Sequence, residues 1–164
     1  MNPIALIGRA DCWKQDLCEF KKLTDVFDVM TIGLDCPYAG DIQYFVTYHY
    51  KDIPEYIARR KSVEANIDFL VIGHKNRLGV DIVQPHKEPS GSSSMMGAIA
   101  AINLGYKKII LCGCPLEGMG VNGLSYNQFQ KGWIARLREV EDYVRSMSGW
   151  TQKFLGSPTI EWLK

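Results

Sequence analysis

Ser92-Ser93-Ser94-Met95-Met96-Gly97-Ala98-Ile99-Ala100-Ala101-Ile102-Asn103-Leu104-Gly105-Tyr106-Lys107-Lys108-Ile109-Ile110-Leu111-Cys112-Gly113 is the stretch from which the fold can be read. Serines crowd the start of a helix, Met95, Ile99 and Ile102 line one of its faces, and Gly105 supplies the stop. Lys108 to Leu111 then continue as an apolar strand. With Val80 to Val83 reading as a strand before it, this is a β-turn-α-turn-β unit. Apolar runs alternate with stretches of helical period along the whole chain, the pattern of a parallel sheet covered by helices on both faces. The expectation is a single α/β domain of the Rossmann-like kind spanning residues 1–164.

Working toward the N-terminus, Ile67 to Ile72 reads as another strand, and Asp52 with Pro54 opens a helix through Ile57 to Lys61. Ile42 to Thr47 and about Val26 to Ile32 are strands separated by the turn-rich segment Gly33 to Asp41. Trp13, Leu17 and Phe20 recur at helical spacing behind Asp11, a natural N-cap, and Ile4 to Ile7 is the first strand. Toward the C-terminus, Phe129, Trp133, Leu137, Val140, Val144 and Met147 repeat at gaps of three and four residues. They predict one long amphipathic helix ended by Gly149. The tail from Trp150 to Lys164 keeps enough apolar residues to dock on the body.

Composition narrows the function classes. The 164 residues are 46 % hydrophobic and 23 % charged, close to the globular average, so neither disorder nor a fibrous repeat is indicated. Nineteen basic against 18 acidic residues give a net charge of +1. That offers no general attraction to a polyanion, and nucleic acid is not the expected partner. No apolar run approaches the ~20 residues that cross a bilayer, and no basic leader precedes the first strand. Five cysteines at 12, 18, 36, 112 and 114 do not make the even framework of a small secreted domain. They are expected as reduced thiols in a cytoplasm.

In open parallel sheets, ligands bind where the turns after the strands converge. The strongest local signal there is Pro89-Ser90-Gly91-Ser92-Ser93-Ser94. A helix N-terminus offers unpaired N–H groups and a positive dipole end, Gly91 lets backbone approach closely, and Ser92, Ser93 and Ser94 add hydroxyl donors. The segment reads as an anion cradle, against the plainer alternative of a serine N-cap after a turn. No Gly-Lys-Ser/Thr follows, so it is not a Walker A loop. Gly8-Arg9-Ala10-Asp11 has one glycine where a dinucleotide fingerprint has three, but Arg9 is placed to fork onto a phosphate or carboxylate. His49 and His86 are the candidate proton-transfer groups, since imidazole titrates near neutral pH. Asn76, after the fourth strand, and Cys114, after the strand ending at Cys112, complete the candidate ligand contacts. Cys112-Gly113-Cys114 is neither a CxxC redox pair nor, without a second Cys/His pair, a zinc signal, and no metal site is expected.

The run from Ser92 to Gly113, with Leu104-Gly105-Tyr106-Lys107 at its turn, resembles the Ser-rich helix and following strand of bacterial family-42 sialyltransferases and archaeal 6-hydroxymethylpterin diphosphokinase-like proteins. The resemblance implies a Rossmann-like fold that binds a cytidine or other nucleotide in the strand-end crevice and transfers a sugar or a diphosphate. Those families usually place an aspartate after the strand-end glycine, where this chain has Cys114-Pro115, and no histidine follows His86. The ending resembles small uncharacterised proteins often encoded by phages, which in that case places the protein in a host cytoplasm. Together these observations point to a phosphate-bearing nucleotide or nucleotide-sugar as the small-molecule partner, with no further cofactor assigned and homo-oligomerisation left open. The alternative is a non-catalytic protein that sequesters a nucleotide signalling molecule.

Overall fold

The computed structural model describes residues 1–85, 90–118 and 125–164. The elements in chain order are β1 (Ile4–Ile7), α1 (Trp13–Lys21), β2 (Asp28–Ile32), β3 (Tyr44–Val46), α2 (Ile53–Ser62), β4 (Leu70–Gly73) and β5 (Ile82–Val83). There follow α3 (Ser93–Asn103), β6 (Ile109–Cys112), α4 (Asn127–Ala135), α5 (Leu137–Val140), β7 (Val144–Ser146), α6 (Gly149–Leu155) and α7 (Ile160–Leu163). Among the described residues, the strands form one sheet in the order β5-β4-β3-β2-β1-β6-β7, and every pairing is parallel. This is the α/β fold that the alternation of runs predicts.

Strand alternation divides the core into two layers. Ile4, Leu6, Met30, Val46, Ile72, Ile109 and Leu111 face α3, with Trp133 of α4, Val140 of α5 and Leu155 of α6 in the same cluster. Ala5, Ile7, Val29, Phe45, Val71 and Ile110 face the other way, onto Leu17 and Phe20 of α1 and Ile53 and Tyr56 of α2. β1 and β6 are buried on both faces, so they read as unbroken apolar runs, Ile-Ala-Leu-Ile and Ile-Ile-Leu-Cys. α3 is buried well beyond a single stripe. Its small residues allow this: a Cβ on Gly97 would stand 3.3 Å from both Leu6 and Met30, so the helix lies close against the sheet.

The turn after α3 shows why its sequence stands out. Gly105, at φ +97°, donates to Ile102 O (2.9 Å), and Tyr106 N donates to Ala101 O (3.0 Å). This is a Schellman closure, which needs a residue in the left-handed region after the last helical turn. Tyr106 is buried, and its hydroxyl donates to Asp28 Oδ2 at 2.6 Å, tying the turn to the start of β2.

Several expectations from the sequence are corrected. The stretch from Phe129 to Met147 is not one helix. α4 breaks at Arg136 (φ −112°, ψ 15°), α5 is a single turn, and Val144–Ser146 form β7 on the edge beside β6. The physical reason lies in the layers: Val144 packs in the α3 cluster while Met147 packs on the opposite face of the sheet, which one helical stripe cannot do. Gly149 accordingly begins α6 rather than ending a helix. Nor does Asp11 cap α1, whose N-cap residue is Cys12 with no side-chain hydrogen bond. β2 to β5 also begin a few residues later than their apolar runs suggest, and Val26 is left exposed.

The tail does dock. Trp162 and Leu163 pack against the α1/α2 layer. Lys108 Nζ lies 4.6 Å and the Arg145 guanidinium 5.0 Å from the centre of the Trp162 ring. No helix among the described residues is long and apolar enough to cross a membrane.

Candidate functional site

From β1 the chain steps outward through β2, β3, β4 and β5, then crosses back to place β6 and β7 on the other side of β1. The order therefore reverses between β1 and β6, and it is outside the carboxyl ends of such strands that parallel sheets bind ligands. Glycines keep the two strand ends close. Gly8 N donates to Cys112 O (2.8 Å) and Ala10 N to Gly113 O (3.2 Å). A Cβ on Gly8 would collide with Gly113 O and stand 2.6 Å from Cys114 Sγ. Gly113, at φ +68°, has Trp13 Cβ 2.6 Å from where its own Cβ would be.

Asp16 fixes the loop that leaves β6. It is buried on α1 and accepts from Gly113 N (2.8 Å) and from Ser148 Oγ (2.7 Å). Beyond this loop opens a cavity of about 640 Å³, walled by the turns after β1, β2, β3 and β6 and by the N-termini of α3 and α4. Leu116 on its wall holds a left-handed backbone (φ +47°) although it carries a buried side chain. Strain of this kind persists where the surroundings over-determine it, often at a binding site.

The Ser-rich turn enters the cavity as the start of α3. Gly91 takes φ +70°, Ser92 is the N-cap with Oγ accepting from Met95 N (3.3 Å), and the Ser92 and Ser94 hydroxyls lie 3.0 Å apart. The first amides of a helix have no intrahelical partners; Ser92 Oγ takes that of Met95, and Ser92, Ser93 and Ser94 all line the cavity. α4 is seated against the same turn: a Cβ on Gly132 would be 2.5 Å from Ser90, and Phe129 lies over Gly91. Its end brings Tyr126 and Phe129 to the wall, their rings 6.0 Å apart.

Arg9 lines the cavity and is exposed, with Nη1 donating to Asp35 Oδ2 at 2.9 Å. Asp35 Oδ1 is 3.3 Å from Arg59 Nη1, and Arg59 Nη2 is 2.6 Å from Glu55. Ion pairs this exposed contribute little to stability. They hold Arg9 beside Asp35, both on the cavity wall.

His49 lines the cavity after β3 with its backbone fixed: its N–H donates to Thr47 Oγ1 (2.9 Å), and its carbonyl accepts from Asp52 N (2.9 Å). Cys114 lies on the cavity wall, but burial pushes its thiol far above the usual range and its Sγ faces Cys112 O. It is a packing group rather than a nucleophile. Burial likewise raises Cys36 to about 11, and all five cysteines are free.

Thus Gly8, Arg9, His49, Ser92, Ser93, Ser94 and Cys114 come together on one cavity. Asn76 does not line it, being exposed in the loop after β4. His86 lies outside the described residues. From the sequence no role is given to Asp35, Leu116 or the α4 start, although the turn Gly33-Leu34-Asp35 falls among the strand-end loops. Of these, only Asp35 carried a legible signal, an acidic residue in a turn that follows a strand.

No protein-family model matches the chain, and no curated protein matches it in sequence. Its fold is similar to that of the sialyltransferase CstII from Campylobacter jejuni. The structure with the substrate analogue CMP-3FNeuAc matches at a TM-score of 0.64 and 12 % identity, over 99 % of this chain and 87 % of that one. The structure with cytidine 5'-monophosphate matches at 0.63 and 13 %, over 98 % and 86 %. A CST-II complex with a trisaccharide acceptor and CMP matches at 0.59 and 12 %, over 97 % and 87 %. At such identities the likeness is one of fold.

Proposed function

We propose that the crevice binds a nucleotide-sugar and transfers its glycosyl group to an acceptor hydroxyl. The observation that carries this reading is the convergence of the α3 N-terminus, with Ser92, Ser93 and Ser94, and the Arg9 guanidinium on one cavity at the switch point. Backbone N–H groups, a dipole end and a guanidinium together suit a phosphate. The neighbours of like fold are bound to CMP or to a CMP-sugar analogue, which makes cytidine 5'-monophosphate the nucleotide portion to try first.

In such a transfer the acceptor oxygen bonds to the anomeric carbon while the bond from that carbon to the phosphate oxygen breaks. The electron pair stays on the phosphate, and the acceptor's proton must go to a base. Donors at the α3 start and Arg9 stabilise the charge that grows on the leaving phosphate. His49 is the base in this reading, since it lines the same cavity and imidazole suits proton transfer near neutral pH.

Incubating the protein with CMP-sialic acid and a galactose-terminated oligosaccharide should release CMP and lengthen the acceptor, as read by chromatography. Recovery of the sugar nucleotide intact from a protein that binds it would overturn the transferase reading in favour of sequestration.

A further inference from the structure

The loop that leaves β6 is a cavity wall braced from outside. Gly113, Cys114, Pro115 and Leu116 all border the cavity, while residues 149–155 of α6 stand outside it. Yet the first turn of α6 grips this loop at successive points. Thr151 Oγ1 donates to Cys114 O at 2.8 Å, and Thr151 N donates to Pro115 O at 3.3 Å. Gly149, at φ +69°, has no room for a Cβ, which would collide with Pro115. Ser148 is the N-cap residue of α6 but makes no side-chain cap. Its Oγ donates instead to Asp16, the residue that holds Gly113 N.

The Thr151 hydroxyl is the centre of this contact. Its side chain is fully buried, as is that of Ser146, whose Oγ lies 2.8 Å from Thr151 Oγ1. Two carbonyls are within reach of the Thr151 proton, Cys114 O at 2.8 Å and Ser148 O at 3.1 Å. The nearer one takes it, and Ser146 is placed to donate to Thr151 Oγ1 in turn. A valine would fill the same volume, and a buried hydroxyl costs free energy unless it is bonded. What the hydroxyl adds is a fixed partner for a carbonyl that lies beyond the end of β6. The consequence falls on Leu116. Its left-handed backbone (φ +47°) lies between two anchored carbonyls, that of Pro115 on Thr151 N and its own, which accepts from Gln130 Nε2 of α4 at 2.7 Å. A strained residue keeps such a conformation only where its neighbours over-determine it. Release on the Thr151 side lets the wall relax.

We propose that Thr151 is a positioning residue for the transfer: from outside the cavity its hydroxyl and amide fix the carbonyls of Cys114 and Pro115, and so hold the wall from Gly113 to Leu116 in the shape that the substrate meets. This rests on the transferase reading above. Thr151 touches no substrate and acts only through the loop.

The test is steady-state transfer from CMP-sialic acid by the full chain and by its Thr151→Val and Thr151→Ser variants, each assayed well below its own melting temperature. Thr151→Val keeps the volume and removes the donor. Its kcat/KM should fall by about tenfold or more, since a misplacement of about 1 Å can cost 10²-fold. Thr151→Ser keeps the donor and should transfer nearly as the wild type does, although the lost methyl group lowers its melting temperature. Should Thr151→Val fail to fold, Thr151→Ala removes the same donor without a second branch, and the same loss is expected of it. A merely structural role lowers the melting temperature and leaves kcat/KM of the folded protein alone. That result, or equal losses in the valine and serine variants, would overturn the proposal. A wild type that transfers no sugar fails the transferase reading and takes this one with it, an outcome distinct from an active wild type with an equally active Thr151→Val.

Discussion

His49→Asn is expected to lower glycosyl transfer by about 10²–10⁴-fold, the usual contribution of a positioned base, while nucleotide affinity stays near that of the wild type. The separation follows from where the residue sits. His49 borders the cavity on the β3 side, whereas the proposed phosphate donors come from α3 and from the turn after β1. Its backbone is fixed by Thr47 and Asp52, contacts of main-chain atoms that asparagine keeps. Asparagine retains hydrogen-bonding capacity but cannot accept a proton near neutral pH. Transfer rates from CMP release and affinities from titration separate the two effects. A variant with undiminished turnover would remove His49 from the chemistry, and a large loss of affinity would make it a binding group.

Gly8→Ala is expected to damage the crevice at its base. The added methyl would collide with the carbonyl of Gly113, which is backbone, and meet Cys114 Sγ at 2.6 Å. Neither neighbour has room to give. Gly113 is held by Asp16 and pressed against Trp13, and Cys114 is buried. The strand ends must therefore separate, at a cost of roughly 1–3 kcal/mol of stability for an overpacked core. The turn carrying Arg9 moves with them, so nucleotide binding should be lost along with the stability. A variant that melts and binds as the wild type does would show that β1 and β6 do not need this close approach.

Much of the architecture is legible in the sequence because buried parallel strands are unbroken apolar runs, and the Schellman glycine marks the end of α3. Arg9, His49 and the three serines are found by a general rule, that turns after strands form the site, and they do share one cavity. What escapes is non-local. β7 offers one apolar residue in three, Val144-Arg145-Ser146, and its partner strand lies far back in the chain. The apolar spacing across α4, α5 and β7 imitates a helix because residues on opposite faces of the sheet happen to fall at intervals of three and four. Asp16 reads as part of the polar face of α1, yet it is buried and bonds Gly113 and Ser148, 97 and 132 residues away. No local pattern announces such contacts. The start of α4 reaches the cavity wall only because Gly132 lets the helix settle on Ser90, a fit that composition cannot reveal.

Titration of the wild-type protein with CMP and with cytidine tests the proposed phosphate recognition at the start of α3 most directly. The proposed donors, at the α3 turn and on Arg9, would contact the phosphate rather than the nucleoside, so CMP should bind measurably and cytidine at least about tenfold more weakly, the ratio expected from one or more charge-assisted hydrogen bonds. Equal binding of the two, or no heat with CMP or with CMP-sialic acid, would contradict it.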